Sequence, residues 1–370
     1  MSDVNGTTAG GKEPSSPPAD SFQQRMNKSL FVLGGSARGM AAIILISLLV
    51  IVLLVLLLSK SPAKTLILFF LGPLRNVYYF GNMLNSSVPL IFGGLGITVA
   101  IRAGNLNLGG EGQIYSGAFV TTVAAIALAR LGPFGAVLAL LSGMMFSGLV
   151  AAFSGFCKAR WNTNELITTF LLSNTLILVI NYCITGPFKD PATNLQSTKK
   201  IPELFYLPRI LPPSNLSAAL CIALAAAVLV WLFLYRTRSG YDLRMSGLSP
   251  MFSRYGGISA GVSIIVSMFI SGAFYGLGGG LAIYGTYYSA MKEFSSGFGW
   301  NSLAAAFIAR SRPLFVIPAA LFFAWINSGA RMAMQFSDVT FEIASLVQSV
   351  VFFLVTAGAV LELFKKGNTK

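Results

Sequence analysis

The chain has 370 residues, 55% of them hydrophobic and 10% charged, with a mean hydropathy of +0.72. Soluble domains carry about 25% charged residues, so the composition argues against a soluble protein and for a single bundle of membrane-crossing helices. The net charge of +14 comes from Lys and Arg strung singly between apolar runs, not from a basic stripe with interleaved aromatics, so nucleic acid is not an expected partner.

Residues 1–24 are rich in Ser, Pro, Gly, Asp and Thr and are expected to be disordered. With the residues up to 40 they form a cytoplasmic tail, and no signal peptide is expected because the apolar run begins only at Ala41. A span needs about 20 apolar residues. That rule places ten transmembrane helices near 41–58, 84–101, 112–130, 134–157, 164–186, 215–235, 259–286, 297–310, 313–332 and 341–364. The expected fold class is all-α, a polytopic membrane helix bundle whose transmembrane domain covers 41–364. Residues 65–82 are apolar but broken by Gly72, Pro73 and Arg75, and read as a short interfacial helix. The stretch 297–310 is only about 21 Å long as a helix, so it is either a half-helix or is preceded by a loop that dips into the membrane. Lys and Arg favour both termini in the cytoplasm, a proline-rich outer loop at 187–214 and a cytoplasmic loop at 236–258.

Four segments carry more than hydrophobicity. The first is Asn105–Gln113, polar and glycine-rich, with Glu111 between two long apolar runs. In lipid such backbone must be covered by protein or water, and an ionisable residue there is a functional-site candidate. Asn105, Asn107, Glu111 and Gln113 are therefore candidate pathway residues; a helix starting near Gly112 offers free N–H groups to a polar solute or to a carboxylate. The alternative is that Glu111 only caps a helix or pairs with an arginine. In the second, Lys158–Asn174, Asn164 and Glu165 are further pathway candidates, although an N-cap and a first-turn acid explain both. In the third, Arg236–Ile258, Gly247 and Pro250 mark a turn into a short helix near 250–256. In the fourth, Ser271–Arg312, Gly272, Gly276, Gly278 and Gly280 form a small-residue face for close packing. Phe298, Trp300 and Asn301 combine an aromatic pair with an amide, which suits a flat heteroaromatic ring as well as a core or lipid-facing role. The Gly-rich breaks Asn105–Gly112 and Ser295–Trp300 precede the third and eighth helices, which points to inverted five-helix repeats.

These segments, in this order, resemble motifs of bacterial ABC importer permeases of the branched-chain amino acid, ribose and nucleoside permease family. The first matches through Asn107, Gly109, Glu111, Gly112 and Gln113, the second through Lys158, Arg160, Asn164 and Glu165. The third matches through Arg236, Gly240, Arg244, Gly247, Pro250, Tyr255 and Gly257, with Phe252 and Ser253 where the family carries two alanines. The stretch 186–202 is similar to the outer loop of the nucleoside branch. The resemblance implies a subunit moving a nucleoside-like solute, either a purine nucleoside or a riboflavin-type compound, across the bacterial cytoplasmic membrane. It implies an ATPase-coupling role for Arg244, Gly247, Pro250, Arg254, Tyr255, Gly256 and Gly257. It also implies three partners: a second permease subunit, identical or sibling; an ATP-binding subunit using ATP and magnesium; and an extracytoplasmic solute-binding lipoprotein. No G-x-x-x-x-G-K-[ST] motif is present, since Gly11-Lys12 in the tail is followed by Glu13, so ATP hydrolysis is expected in the separate chain. No histidine is present, and Cys157, Cys183 and Cys221 have no metal or disulfide spacing, so no catalytic residue, metal or cofactor is expected in this chain. Two rival expectations are a sugar importer permease and an ion-coupled secondary transporter using Glu111 and Glu165.

Overall fold

The computed structural model describes residues 37–295, 297–338, 340, 349–350 and 352–353. In chain order the helices are α1 (Ala37–Leu58), α2 (Pro62–Leu71), α3 (Val77–Arg102), α4 (Gly110–Ala127), α5 (Gly132–Trp161), α6 (Glu165–Thr185), α7 (Ala219–Arg236), α8 (Arg238–Leu248), α9 (Pro250–Tyr255), α10 (Ala260–Ala282), α11 (Phe298–Ile308) and α12 (Pro313–Phe336). A π-helical turn, Ile283–Tyr287, extends α10. Among the described residues the only β pairing is in isolated bridges.

Among the described residues six helices are long and apolar enough to cross a membrane, against the ten spans expected along the whole chain: α3, α5, α6, α7, α10 and α12. The expected span 341–364 lies outside the described residues apart from a few positions. The expected span 41–58 falls in α1, of which only Leu48–Leu57 counts as a shorter apolar helix among the described residues, and two further shortfalls have physical reasons. The middle of α4 is diluted by Gln113, Ser116, Thr121 and Thr122, and α11 has only 11 residues. The stretch 65–82 is also divided differently from the expectation. Its first part forms α2 and a 3-10 turn at Gly72–Leu74. From Val77 onward it belongs to α3, because Asn76 Oδ1 accepts from the Tyr79 N–H at 2.9 Å and starts the helix there.

Burial separates the axis of the bundle from its lipid-facing wall. In its most apolar window α3 is 89% inside the protein, against 28% for the α5 span and 22% for α6. Helices α10, α11, α12 and α7 pack around α3, while Leu141, Phe153, Leu178 and Leu229 on α5, α6 and α7 face outward, as a hydrocarbon solvent requires. The closest helix pairing is α10 against α5. It follows from the glycines noted in the sequence: a Cβ on Gly276 would lie 2.6 Å from the Gly143 carbonyl oxygen, so only a hydrogen fits.

At one end of the bundle the chain is stapled. Asp338, just past α12, accepts from Ser59 Oγ at 2.9 Å and Ser61 Oγ at 2.8 Å in the turn between α1 and α2. These donors, Ser61 foremost, hold its carboxyl well below the usual carboxylate range. The segment between α6 and α7 runs along the end of α10, with Thr198 N–H to Ala290 O, Ile201 N–H to Tyr288 O and Leu207 N–H to Tyr284 O at 2.9–3.0 Å.

The α5–α10 contact sets an expectation. Gly276→Val should lower the stability of the detergent-solubilised protein by about 1–3 kcal/mol through overpacking. A thermal unfolding curve equal to that of the unaltered chain would show that the close approach is unimportant.

Candidate functional site

Two chain breaks meet inside the bundle. The first is 103–109, between α3 and α4. After the turn at Ala103–Gly104 the chain is extended and lies beside α10. Asn105 Nδ2 donates to Ser267 Oγ at 2.8 Å, and Asn107 Nδ2 donates to Ser271 Oγ at 3.1 Å. The register is geometric: two extended residues rise about 6.6 Å, close to the ~6 Å rise of the four helical residues from Ser267 to Ser271. Asn107 also donates to Gln113 Oε1 at 2.7 Å and accepts from the Gly109 N–H at 2.9 Å. Every polar backbone or side-chain group named here is answered by protein, which makes an unwound segment tolerable at this depth.

The second break, which leads from the α10 end into α11, brings the α11 N-terminus against the first turn of α4. Glu111 Oε1 accepts from the Gly297 N–H at 2.9 Å, and Oε2 accepts from the Gly299 N–H at 2.8 Å. The Ser295 side chain bonds the same carboxylate. Glu111 therefore caps a helix, but the opposite one rather than its own. Two helix N-termini, both carrying positive dipole ends, face each other with one carboxylate between them. The approach demands glycine: a Cβ on Gly299 would lie 2.2 Å from the Glu111 backbone nitrogen. Gly297, just before α11, has φ +86, which a side chain rarely adopts.

A third cluster secures the foot of the first break. Lys158 Nζ donates to Asn105 Oδ1 at 2.8 Å and pairs with Glu165 Oε1 at 2.6 Å. Asn164 caps α6 by accepting from the Leu166 N–H at 2.9 Å. Arg102, at the end of α3, donates through Nε to the Ser311 carbonyl at 2.7 Å and so ties the foot of the first break to the turn between α11 and α12. Helix α8 is seated directly on this junction, since a Cβ on Gly247 would lie 2.4 Å from the Arg102 carbonyl oxygen. Arg244 turns inward too, with its guanidinium 4.9 Å from the Tyr235 ring centroid. By contrast Pro250, Arg254, Tyr255, Gly256 and Gly257 are exposed, together with Met251 and Phe252.

A cavity of about 270 Å³ lies beyond the second break. Its wall includes Asn82, Asn85 and Pro89 of α3, Asn215 and Ser217 of the 186–218 segment, Thr286 and Tyr287 of the π turn, Phe298 of α11 and Arg331 of α12. Of the pathway residues expected from sequence, Phe298 lines it. Asn105, Asn107, Glu111, Gln113, Asn164 and Glu165 do not; they hold the breaks and the helix ends together. Asn301 follows Gly297 by one helical turn, its backbone N–H bonded to the Gly297 carbonyl at 2.9 Å. Trp300 turns away from the cavity and contacts Phe170 and Phe352, with ring centroids 6.3 and 6.0 Å apart. The polar wall residues had one signal in the sequence: Arg331 is the lone ionisable side chain of an apolar helix, the criterion that singled out Glu111.

The family described as "Branched-chain amino acid transport system / permease component" matches residues 79–356. The chain belongs to this family. A probable riboflavin import permease protein of Treponema pallidum is 33% identical over 303 residues, covering 81% of this chain and 80% of the relative. A guanosine ABC transporter permease of Bacillus subtilis is 30% identical over 307 residues, covering 81% and 86%. A glucose ABC transporter permease of Haloferax volcanii is 27% identical over 320 residues, covering 82% of each. No solved structure matches the chain. The protein is a membrane-embedded permease subunit of an ABC importer and not itself an enzyme.

The Glu111 cap gives a graded expectation. Glu111→Ala leaves two N–H groups without their acceptor and should destabilise the protein by about 2–4 kcal/mol, whereas Glu111→Gln retains one acceptor and should cost about half as much. Denaturation of the purified variants tests the order; equal stability of both with the unaltered protein would remove Glu111 from the cap.

Proposed function

We propose that this permease moves a nucleoside-like solute, a purine nucleoside or a riboflavin-type compound, into the cytoplasm through the cavity floored by Phe298. The observation that carries the reading is the seating of α8. One face of the α8–α9 hairpin touches the foot of the first break at Arg102, while the other presents Met251, Phe252 and Tyr255 to solvent. A contiguous exposed apolar patch rimmed by polar residues marks an interaction site. An ATP-binding subunit that docks there and closes on ATP and magnesium would push on Gly247 and shift the feet of both broken helices together. The cavity would then alternate its opening around the Glu111 cap.

The remaining parts follow from the same assembly. A second permease chain completes the pathway; Bacillus subtilis has two guanosine ABC transporter permease proteins similar to this chain. A solute-binding lipoprotein docks on the 186–218 segment. The chain is oriented with both termini and α8–α9 in the cytoplasm of a bacterium, and the two breaks belong to inverted five-helix halves. The meeting of two helix N-termini supports this last point, because paired interrupted helices are how such repeats build a central site. Nothing favours ion coupling through Glu111 and Glu165, since both carboxylates are engaged by donors within the protein.

Two experiments test the reading. Changing Met251, Phe252 and Tyr255 together to Ser should abolish solute-stimulated ATP hydrolysis and uptake in the assembled transporter while leaving the permease in the membrane; uptake at the unmodified rate would refute α9 as the docking element. For orientation, Cys157, Cys183 and Cys221 are first replaced by Ala. A cysteine at Leu195 should then react with an impermeant maleimide in intact cells, and one at Met251 only after permeabilisation. Reversed labelling would invert the topology.

A further inference from the structure

The cavity wall has an uneven hydrogen-bonding character. Asn82 Oδ1 already accepts from the Asn215 N–H at 2.9 Å. Asn85 spends its amide on Thr286 Oγ1 at 2.8 Å and its carbonyl on Ser217. The amide oxygens of Asn82 and Asn85 are thus occupied by the protein. The one charged donor on the wall is Arg331. Its guanidinium carries five N–H donors and no acceptor, and it gives one bond, from Nη2 to Ser328 Oγ of its own helix at 3.1 Å. Among the described residues no carboxylate lies within ion-pairing distance of it. Arg331 is exposed near the end of α12 and lines the cavity, and an ionisable side chain on a membrane-crossing helix is a candidate for a functional role. Phe298 adds a ring face to the same wall.

We propose that Arg331 reads the edge of the solute. On this reading, which rests on the function proposed above, the cavity selects a planar heterocycle with a ring carbonyl oxygen beside an unprotonated ring nitrogen. A guanidinium fork fits two such adjacent acceptors in bidentate fashion, as arginine does with the O6 and N7 of guanine. 6-Oxopurine nucleosides and flavins share this acceptor–acceptor edge. A 6-aminopurine places an amino donor where the carbonyl would be, sets donor against donor and leaves a guanidinium N–H unanswered. Sites built to bond a given polar group reject the analogue that lacks it far better than apolar pockets reject a misfit. A single cation with an aromatic floor and no second basic side chain on the wall also fits a heterocycle better than a free inorganic anion.

The test uses the complete permease–ATPase complex in lipid nanodiscs, without the solute-binding protein, and measures equilibrium binding of labelled guanosine and labelled riboflavin. Guanosine, inosine and riboflavin should compete with one another. Adenosine, 7-deazaguanosine and 5-deazariboflavin should bind on the order of tenfold or more weakly, because each loses an acceptor opposite a charged donor. These comparisons use unaltered protein, so no folding defect enters. Arg331→Lys keeps the charge and loses the fork, and should shrink each difference to about threefold or less. Binding of the deaza analogues within about twofold of the parent compounds would overturn the proposal, as would unchanged ratios in Arg331→Lys, or displacement by inorganic phosphate in preference to adenosine. A complex that takes up another solute but binds neither guanosine nor riboflavin would refute the functional reading itself, and the role of Arg331 with it.

Discussion

The fold depends on one carboxylate. Glu111 stands between two helix N-termini that would otherwise repel, and its two oxygens answer two backbone donors of the opposite helix. Without it, the N-terminus of α11 would present unpaired N–H groups at a depth where water is scarce and each such group costs several kcal/mol; α4 has a partner of its own in Ser173 Oγ, which accepts from the Gly112 N–H at 2.8 Å. The glycines are secondary to this contact: Gly299 lets the two backbones touch and Gly297 turns the chain into position. One acidic side chain thereby makes two broken helices into one continuous mechanical element.

That element is connected to the α8 side through few but stiff contacts. Arg102 ties the foot of the first break to the Ser311 carbonyl in the turn between α11 and α12. Gly247 lies against the Arg102 backbone with no room for a methyl group. Side-chain rotation cannot relieve such a contact, so α8 bears directly on the backbone at the end of α3. The buried Lys158–Glu165 pair and its bond to Asn105 brace the first break from the α5–α6 side. The inward residues of α8 are thus packed against the bundle, while Met251, Phe252 and Tyr255 of α9 stay exposed.

Much of this was legible in the sequence because it rests on local physics. The break at Asn105–Gln113 is visible as polar, glycine-rich chain inside an apolar context. Asn164 and Pro250 mark helix starts by capping chemistry that needs no partner. The parts that were not legible depend on which way a side chain faces. Phe298 and Trp300 read as one aromatic pair, but two positions on a helix differ by about 200°, so one lines the cavity and the other leaves it. Asn82 and Asn85 lie in a stretch divided between an interfacial helix and a span, and their common face appears only once α3 is seen to begin at Val77. The partner of Glu111 is nearly two hundred residues away, and no spacing rule reaches that far.

The strap between α6 and α7 has a different implication. It is bonded to the end of α10 through main-chain groups, Thr198 to Ala290, Ile201 to Tyr288 and Leu207 to Tyr284. Its position therefore depends little on the identity of its outward side chains, such as Leu195, Leu204 and Ile210. The same strap delivers Asn215 and Ser217 to the cavity wall. Its exterior is free to diverge and acquire a new recognition surface while the wall it supports stays in register, so recognition outside and chemistry inside can evolve on separate clocks.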